Sequence, residues 1–212
     1  MISFTVLIPV YNTNPAHLLE CVFSVHCSNQ TIKKDYRIVI IDDGSDNEGT
    51  LNALEFLKLN RGVWVYRKEK NEGTSSALNF GHDLIHTKWI ALQGSSDISL
   101  PNRFELQVNH LLENPDVDVL GTNLYSFKNS DHLRTPIFTS TFKYHTTLKE
   151  MTNGWLTNHG TVMYKNQSVK DVGGYLLSGR KQDVELWKRM DKAGYKIRTL
   201  NPVAYAWRKD EL

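Results

Sequence analysis

The chain has 212 residues, which is enough for one domain with a full core and short for two. Its 25 basic and 23 acidic side chains leave a formal charge of +2, which argues against a nucleic-acid-binding arm or an acidic tail. With 40% hydrophobic and 23% charged residues, the composition is that of a folded protein rather than a disordered one. Cys21 and Cys27 are too few to hold the fold together by disulfides, and they indicate a reducing compartment.

Neither end of the sequence predicts export or membrane insertion. Residues 1–9 are apolar but carry no basic residue and no small-residue cleavage site, so we interpret them as a buried strand. No stretch approaches the ~20 apolar residues that a membrane span needs. The last four residues, Lys209-Asp210-Glu211-Leu212, spell a retention signal of the endoplasmic reticulum, which we interpret as coincidental without a leader. A cytoplasmic protein is therefore expected.

The first half of the sequence alternates strand patterns with helix patterns. Short apolar or alternating runs predict strands over residues 4–9, 37–41, 63–67 and 89–92. Apolar residues at helical spacing predict helices over residues 15–25, 51–59, 77–85 and 104–112. Pro15, directly after Asn14, fits the first position of the first of these helices. Strands that alternate with helices at even spacing predict a parallel sheet covered by helices.

The second half of the sequence is less regular. Strand patterns cover residues 117–124, 160–164 and 196–200. A helix pattern covers residues 182–193. Because no repeat, low-complexity tract or linker interrupts the sequence, residues 1–212 are predicted to form a single α/β domain. We expect a mostly parallel sheet with helices on both faces and an irregular C-terminal portion.

Polar residues follow each of the four strands predicted in the first half. The four clusters are Pro9-Val10-Tyr11-Asn12, Asp42-Asp43-Gly44-Ser45-Asp46, Lys68-Glu69-Lys70-Asn71-Glu72-Gly73 and Gly94-Ser95-Ser96-Asp97. Any one of them is typical of an ordinary turn, because turns are built from these residue types. In an open parallel sheet, however, ligands bind beyond the carboxyl ends of the strands. Four such clusters at one edge therefore indicate a binding site.

A series of short motifs runs through nearly the whole chain. It comprises Val6 to Asn12, Val39 to Ser45, Asn71-Glu72-Gly73 with Ala77, Asn79 and Gly81, Trp89 to Leu92, Ile98 to Glu105, His159 to Met163, Val172 to Tyr175, Gln182 to Trp187 and Gly194-Tyr195. In these motifs and their order the chain resembles family 2 glycosyltransferases. The resemblance implies a GT-A fold, a Rossmann-like single domain that transfers a sugar from a nucleoside diphosphate sugar, with UDP expected, to an acceptor hydroxyl with inversion. It also implies a nucleotide-sugar-binding half over residues 1–115 and an acceptor-binding half over residues 116–212.

The resemblance assigns roles to individual residues. Asp43 corresponds to the Asp that contacts the base in the family, and Pro9 and Tyr11 would complete the slot for the nucleoside. The other expected nucleotide-sugar-binding residues are Asn12, Asn71, Gly73, Ser96 and Asp97. Asp183 matches the catalytic base of the family, which takes the proton of the acceptor hydroxyl. From the residues alone, the alternative for Asp43 is that it caps a turn, and the alternative for Asp183 is that it interacts with the dipole at the start of a helix.

The chain departs from the family pattern at three places. Where the family carries Asp-x-Asp-Asp, which binds a divalent cation and the diphosphate, this sequence reads Gly94-Ser95-Ser96-Asp97. Mn²⁺ and Mg²⁺ prefer hard oxygen ligands, so the loss of carboxylates is expected to weaken metal binding. Asp97 and His159 remain the candidate metal ligands. Leu78 replaces the usual Arg of the Asn-x-Gly loop, and Gln182 replaces the Glu beside the catalytic base.

Three interpretations of these departures stay open. In the first, Asp97 and His159 still hold a cation together with the donor phosphates, although a lone His is more often a structural residue than a ligand. Alternatively, the diphosphate is neutralised by basic side chains, for which the candidates are Lys68, Lys70, Arg180 and Lys181. In the third, the chain binds a nucleotide sugar or a glycan without turnover. The acceptor stays open between glycan, lipid, protein and nucleic acid.

Two further expectations concern ligands. Aromatic side chains of the second half could stack on a sugar ring, and the candidates are Phe142, Tyr144 and Trp155. An NAD-dependent enzyme is disfavoured, because no Gly-x-Gly-x-x-Gly motif follows the first strand.

Overall fold

A computed structural model of the chain describes residues 2–28, 36–128, 134, 136–140, 157–177 and 181–209. The strands are β1 (Phe4–Val10), β2 (Tyr36–Asp42), β3 (Val63–Arg67), β4 (Trp89–Leu92), β5 (Ile98–Ser99), β6 (Val119–Lys128), β7 (Phe138–Thr139), β8 (Met163–Lys165) and β9 (Ile197–Lys209). The helices are α1 (Pro15–Ser28), α2 (Glu48–Lys58), α3 (Thr74–Leu84), α4 (Arg103–Glu113), α5 (Asn166–Asp171) and α6 (Gln182–Lys192), with a short 3-10 helix over His159–Thr161.

The strands within these ranges form one mixed sheet in the order β3-β2-β1-β4-β8-β6-β9-β5, with β7 paired to β6. β1 is parallel to β2 and β4, and β2 is parallel to β3. β8 is antiparallel to both β4 and β6, and β6 is parallel to β9. The strands β1 to β4, β6 and β9 therefore all point their carboxyl ends to one edge of the sheet, called the carboxyl edge below. The predicted α/β class with a mostly parallel sheet is confirmed.

Alternating side chains of the strands pack against helices on the two faces of the sheet. Phe4, Val6 and Ile8 of β1 belong to a buried cluster with apolar residues of α1, α2 and α4. Leu7, the intervening residue, belongs to a second cluster with Trp187 of α6 and apolar residues of α3 and α5. Burial of one such side chain stabilises the fold by about 1.5–3 kcal/mol. The two clusters account for the nearly continuous apolar runs of β1 and β2, because both faces of these strands are covered.

Asparagine side chains cap the first two helices. The Asn14 Oδ1 atom accepts a hydrogen bond from the backbone N–H of Ala16 at 3.0 Å, and Pro15 takes the first helical position as predicted. Asn47 accepts from the N–H of Thr50 at 3.0 Å, so α2 begins at Glu48, earlier than its apolar stripe suggests. These caps place both helix starts beside the polar clusters that follow β1 and β2.

The second half differs from the sequence prediction in its details. The strand predicted over residues 160–164 is a 3-10 helix followed by the three residues of β8, and β9 extends to Lys209 rather than ending at residue 200. β5, β7 and α5 are not predicted by the sequence, because two-residue strands and a six-residue helix are too short for a periodic pattern. The candidate stacking residues Phe142, Tyr144 and Trp155, and the terminal Asp210-Glu211-Leu212, lie outside the described residues. No helix within the described ranges has the length and apolar composition needed to cross a membrane.

Candidate active site

A cavity of about 360 Å³ opens at the carboxyl edge, beyond the ends of β1 and β2. It is lined by Pro9, Val10, Tyr11, Asp43, Asn71, Gly73, Thr74, Ala77 and Ser95. The ring of Tyr11 is 46% exposed, so it offers an aromatic surface to a ligand. The structure thus brings together five of the residues expected to bind the nucleotide sugar, namely Pro9, Tyr11, Asp43, Asn71 and Gly73. Ser96, Asp97 and Asn12 are not among the lining residues.

Asp43 is a buried carboxylate at the wall of this cavity. Its Oδ1 atom accepts a hydrogen bond from Lys68 Nζ at 2.6 Å, and its Oδ2 atom accepts from the N–H of Gly73 at 2.7 Å. Partial burial acts to lower the pKa of Lys68, but the hydrogen bonds to Asp43 and Glu72 outweigh it, and the pKa of Lys68 is raised. Asp43 therefore carries an ionised partner and also holds the loop that closes the cavity.

Asp42, the preceding residue, has a structural role. Its Oδ1 atom accepts from the N–H of Ser45 at 3.0 Å and closes the turn after β2. Gly44 follows in a left-handed conformation, with φ of +74°, and an added Cβ there would lie 2.5 Å from the backbone of Lys70. The glycine lets the turn after β2 touch the loop after β3, which is how Asp43 reaches Gly73.

Asn12 organises the same turn instead of lining the cavity. Its Oδ1 atom accepts hydrogen bonds from the N–H groups of Asp46 and Asn47, each at 3.0 Å. Its Nδ2 atom donates to Asp46 Oδ1 at 2.7 Å. These contacts tie the end of β1 to the end of β2 and so fix Tyr11 relative to Asp43.

The loop after β4 faces β9 rather than the cavity. Asp97 is buried; its Oδ2 atom accepts from the Tyr205 hydroxyl at 2.8 Å, and its Oδ1 atom accepts from the N–H of Arg208 at 3.0 Å. Burial raises the pKa of Asp97 to about 6, against the hydrogen bonds from Tyr205 and Arg208, which act to lower it. The backbone oxygen of Ser96 accepts from Arg208 Nε at 2.8 Å. The carboxyl end of β9 thus covers the loop that aligns with the metal motif of the family.

Arg103, at the start of α4, is the buried centre of this covered region. Its Nη1 atom donates to Gln93 Oε1 at 2.7 Å, and its Nη2 atom donates to the backbone oxygens of Leu92 at 2.8 Å and Gly160 at 3.0 Å. Burial lowers the pKa of Arg103 to about 10. Sequence reasoning did not single out Arg103, although its motif Leu100-Pro101-Asn102-Arg103 was part of the resemblance, because no pattern reveals that an arginine is buried.

Asp183 lies in the first turn of α6, as the sequence predicts. Burial raises the pKa of Tyr175, and the nearby Asp183 charge adds to that shift; at His159 the Asp183 charge acts to raise the pKa but opposes a larger effect of burial. Burial dominates at His159, whose pKa falls to about 4, so the imidazole is neutral at pH 7. His159 Nε2 and the Tyr175 hydroxyl lie 2.8 Å apart in a hydrogen bond. No residue within the described ranges donates a hydrogen bond to the Asp183 carboxylate, which leaves it available on that side of the site.

Glu185, two residues further along α6, has a separate structural role. Its carboxylate binds the Arg189 guanidinium, with Arg189 Nε at 2.7 Å from Oε1 and Nη2 at 2.7 Å from Oε2. Arg189 also donates to the backbone oxygens of Val172 and Gly174. The pair therefore anchors α6 to the turn after α5, and it is not free for chemistry.

The described residues do not fit a divalent cation. Within them, no three His, Cys, Asp or Glu side chains are placed to share an ion. Both oxygens of Asp97 are bonded within the protein, and His159 Nε2 is bonded to Tyr175. A Cβ at Gly94 would lie 2.3 Å from Asp97 Oδ2, so a side chain at that position would have to displace the Asp97 carboxylate. The family's motif is thus replaced by a packed polar network.

Comparison with known proteins defines the class to which this fold and site belong. The family described as Glycosyl transferase family 2 matches residues 5–173, and the chain belongs to that family. It is 24% identical over 193 residues to an uncharacterized glycosyltransferase of Methanocaldococcus jannaschii, covering 91% of this chain and 66% of that protein. It is 27% identical over 186 residues to the UDP-Gal:alpha-D-GlcNAc-diphosphoundecaprenol beta-1,3-galactosyltransferase of Escherichia coli, covering 87% of this chain and 66% of that protein.

Solved structures confirm the predicted GT-A fold. The crystal structure of S. aureus TarS 1-349 in complex with UDP-GlcNAc superposes with a TM-score of 0.79 at 20% identity, covering 100% of this chain and 60% of that one. The chain thus spans slightly under two thirds of the relatives and of the structure it matches. The predicted family and its glycosyltransferase class are confirmed, and the roles of single residues stay predictions.

Proposed function

We propose that the chain is the GT-A domain of a glycosyltransferase that moves a sugar from a UDP-sugar to an acceptor hydroxyl with inversion. The cavity lined by Pro9, Tyr11, Asp43, Asn71 and Gly73 carries this proposal, because it combines an apolar slot with an aromatic ring and a carboxylate. The printed names of the E. coli relative and of the TarS complex, which contain UDP-Gal and UDP-GlcNAc, favour UDP as the nucleotide. Residues 1–115 would bind the donor and residues 116–212 the acceptor.

In this proposal the nucleoside lies in the cavity. The uracil ring stacks on Tyr11, and Asp43 accepts hydrogen bonds from the base edge. The diphosphate then extends past Ser95 towards Ser96 and Asp97, at the carboxyl edge beside β1. Asn12 acts through the turn it organises, by holding Asp43 and Tyr11 in place.

Asp183 is the proposed catalytic base. It takes the proton of the acceptor hydroxyl while the hydroxyl oxygen attacks the anomeric carbon on the face opposite the diphosphate. The bond from the anomeric carbon to the diphosphate oxygen breaks, UDP leaves with the electron pair, and the configuration inverts. Asp183 lies in the first turn of α6, beside the positive end of the helix dipole. Gln182, which is neutral where the family has Glu, places no second carboxylate next to it.

We propose that side-chain cations, rather than Mn²⁺ or Mg²⁺, neutralise the leaving diphosphate. Lys68 is bound to Asp43 and Glu72, which commits its charge to the cavity wall. Lys70 is exposed and lies 3.7 Å from Glu72. Lys181 is exposed, directly precedes α6, and forms no ion pair within the described part of the chain, so it is the better placed of the candidates. Arg180 lies outside that part. Metal binding through Asp97 and His159 is disfavoured by the bonds that both already make.

A thermal-shift titration tests the donor proposal directly. UDP, UDP-glucose, UDP-galactose and UDP-GlcNAc are added separately, each with Mn²⁺ and with a chelator. A ligand that binds only the folded state raises the melting temperature by mass action. We expect at least UDP to raise it under both conditions. An unchanged melting temperature with every nucleotide would contradict the proposed donor site.

A non-catalytic binding protein of the same fold is the second candidate. Its support is the replacement of two family carboxylates by Gly94 and Ser96. Release of UDP from a bound UDP-sugar, followed over hours with and without acceptor, separates the two candidates. Water can slowly attack the bound UDP-sugar in place of the acceptor, and this hydrolysis also requires a catalytic base. Loss of the slow UDP release in Asp183→Asn would therefore support the enzyme. A parent protein that binds the UDP-sugar and never releases UDP would favour the binding protein.

The cytoplasm stays our proposed compartment. Cys21 is buried and Cys27 partly buried, and both are free thiols. Free thiols of this kind are typical of a reducing compartment. Thiol labelling of the denatured protein, taken directly from cells under acid quench, should find both cysteines reduced.

A further inference from the structure

A second cavity lies at the edge of the sheet opposite to the proposed donor site. β1 to β4 are parallel to one another, so they all begin at this edge, called the amino edge below. The cavity measures about 780 Å³, and its lining includes Thr5, Arg37, Arg61, Trp64 and Lys88. A strand of seven residues, such as β1, is about 20 Å long, and that length separates the two cavities. The proposed transfer reaction makes no use of the cavity at the amino edge.

The lining of this cavity carries basic side chains and includes no Asp or Glu among the described residues. Arg61 precedes β3, Arg37 lies at the start of β2, and Lys88 precedes β4. All three side chains are exposed, and none forms an ion pair with a carboxylate of the described ranges. In the sheet order β3-β2-β1-β4, Arg61 and Lys88 are three strand spacings apart, or about 14 Å. Three cations without a described counter-charge therefore lie along one open cavity.

The guanidinium of Arg37 is held in place without being neutralised. Its central carbon lies 4.6 Å from the centre of the Trp64 ring, which is a cation–π contact. Stacking of this kind orients the guanidinium and leaves the N–H groups in its plane able to bind an anion. A carboxylate partner would instead occupy those donors. Trp64 is 44% exposed and lines the same cavity, so the stacked pair is open to a ligand.

Helix ends provide the structural alternative for these cations. α3 ends at Leu84, which lines the cavity, and α2 ends three residues before Arg61. The C-terminal end of a helix carries a partial charge of about −0.5, so the two ends together balance about one of the three cations. An excess of about two positive charges remains at the cavity. An excess of this size favours a ligand that carries several negative charges.

We propose that the amino edge holds a second ligand site, for a soluble small molecule that carries two or more phosphate groups. A single phosphate cannot reach cations that are spread over about 14 Å, whereas a ligand with several phosphates can. Guanidinium groups bind phosphate oxygens in bidentate pairs, and a lysine ammonium group binds them as a point charge. The volume of the cavity is in the range of small-molecule sites. A flat membrane surface would not fill a concave site of this kind.

The experiment is a ¹⁹F NMR titration of the full chain labelled with 5-fluorotryptophan, in which Trp64 reports on the amino edge. The resonance of Trp64 is assigned with Trp64→Phe. The probes are inorganic phosphate, pyrophosphate and tripolyphosphate, with sulfate at matched ionic strength as the control for general anion effects. We expect pyrophosphate and tripolyphosphate to shift the Trp64 signal and to saturate at lower concentrations than phosphate or sulfate.

Substitutions of the lining cations test whether they bind the probe. Lys88→Met leaves the stacked pair of Arg37 and Trp64 in place. It should weaken pyrophosphate binding about 10-fold, which is the low end for a hydrogen bond to a charged group, because the cavity is open to water. Arg37→Met should weaken it by a similar factor. The matched control is Lys188→Met, which removes an exposed lysine of α6 outside the cavity lining and should leave binding within about twofold.

Two results of these titrations would overturn the proposal. The first is a Trp64 signal that neither pyrophosphate nor tripolyphosphate moves, or that sulfate moves equally well. The second is pyrophosphate binding that Arg37→Met and Lys88→Met leave at parental strength. Sedimentation with phosphatidylglycerol vesicles tests a lipid headgroup as the source of phosphate. Vesicle binding that is lost in Lys88→Met, without any response to the soluble probes, would assign the cations to a membrane surface and reject the small-molecule site.

A UDP titration of the same sample keeps this proposal separate from the donor site. Thermal stabilisation by UDP that Asp43→Ala removes reports on the donor site, whereas a shift of the Trp64 signal reports on the amino edge. Stabilisation of the first kind, together with a Trp64 signal that no phosphate probe moves, would reject the amino-edge site and leave the proposed function standing. Pyrophosphate binding at Trp64 without any UDP binding that depends on Asp43 would support the amino-edge site and reject the donor site.

Discussion

The loops that follow β2 and β4 reach the same edge of the sheet, and they use their carboxylates in opposite ways. Asp43, after β2, is bonded to Lys68 and Gly73 and still lines an open cavity. Asp97, after β4, is enclosed by Tyr205 and Arg208 of β9. The resemblance to the family predicts that both carboxylates contact the donor. A carboxylate at a strand end therefore stays open to a ligand only where the neighbouring strand leaves it uncovered.

The two loops also differ in what balances their charge. Asp43 has the Lys68 ammonium group at 2.6 Å, and Lys68 is itself partly accessible to water. Asp97 is surrounded by protein, and its raised pKa reflects the cost of keeping a charge there. Arg103 and Arg208 supply positive charge to that region, where the family pattern has a metal ion. The loop after β2 thus leaves its carboxylate at an open cavity, where we propose that the nucleotide binds, whereas the loop after β4 is packed within the protein.

The largest expected effect is on catalysis, and it tests whether the open loop serves a working site. Asp183→Asn keeps the size of the side chain but cannot accept the acceptor proton. We expect sugar transfer to fall by about 10²- to 10⁴-fold while UDP binding stays nearly unchanged. Steady-state transfer rates, together with a UDP titration of the same variant, measure the two quantities.

The control for this prediction is Asp191→Asn, in the last turn of the same helix. Glu185→Gln is unsuitable, although its position two residues along α6 suggests a neutral change, because Glu185 anchors Arg189. Asp191→Asn should leave the transfer rate within about twofold, as surface changes usually do. Transfer by Asp183→Asn at the parental rate would end its assignment as the base. An activity loss that only follows a lower melting temperature would assign Asp183 a role in folding.

The second prediction concerns the covered loop and is measured as stability. Arg103→Met removes the guanidinium that joins Gln93, Leu92 and Gly160, and it leaves their buried acceptors unpaired. We expect the free energy of unfolding in urea to fall by about 1–3 kcal/mol for each buried acceptor left unpaired. Arg61→Met, an exposed arginine between α2 and β3, should change it by less than about 0.5 kcal/mol. Equal effects of the two variants would show that the network does not hold the covered loop.

The third prediction concerns the open loop and is measured as nucleotide affinity. Asp43→Ala removes the carboxylate at the cavity wall, and we expect UDP binding to weaken by about 1.5–3 kcal/mol. Glu69→Ala is the matched control, because Glu69 is an exposed carboxylate on the adjoining loop and does not line the cavity. Calorimetric titration of UDP into each variant gives the affinities. A parental affinity in Asp43→Ala would place the nucleotide elsewhere.

A feature of this molecule can be predicted from the sequence when the residues that form it are close together in the sequence. The four strands of the first half and the gathering of Tyr11, Asp43 and Gly73 follow from local patterns and from the rule that parallel strands end at one edge. The covering of Asp97 does not, because Tyr205 and Arg208 are more than a hundred residues away in sequence. No periodicity links positions so far apart. The departure at Gly94 and Ser96 was visible in the sequence, but the network that replaces the carboxylates was not.

The smallest expected effect is that of metal removal, which tests whether the loop after β4 binds a divalent cation. Since the described residues do not fit a cation, exhaustive chelation should leave UDP binding and the transfer rate of the parent protein unchanged. Ser96→Asp restores one family carboxylate at a partly exposed position, whereas Gly94→Asp would collide with Asp97. We expect Ser96→Asp to gain UDP affinity by about tenfold on addition of Mn²⁺, because carboxylate oxygens are preferred ligands of hard cations. Ser96→Asn, equal in size but uncharged, should show no such gain.

The effect of chelation on the parent protein distinguishes two explanations for the loss of the Asp-x-Asp-Asp motif. If chelation abolishes transfer and micromolar Mn²⁺ restores it, a strong metal site exists and the polar network must open to admit the ion. If chelation has no effect and Ser96→Asp responds to Mn²⁺, the edge still has the geometry for a cation and lacks only the charge. In that case the protein cations around Asp97 have a structural role, and the proposed neutralisation of the diphosphate comes from the side of α6, which Lys181 directly precedes.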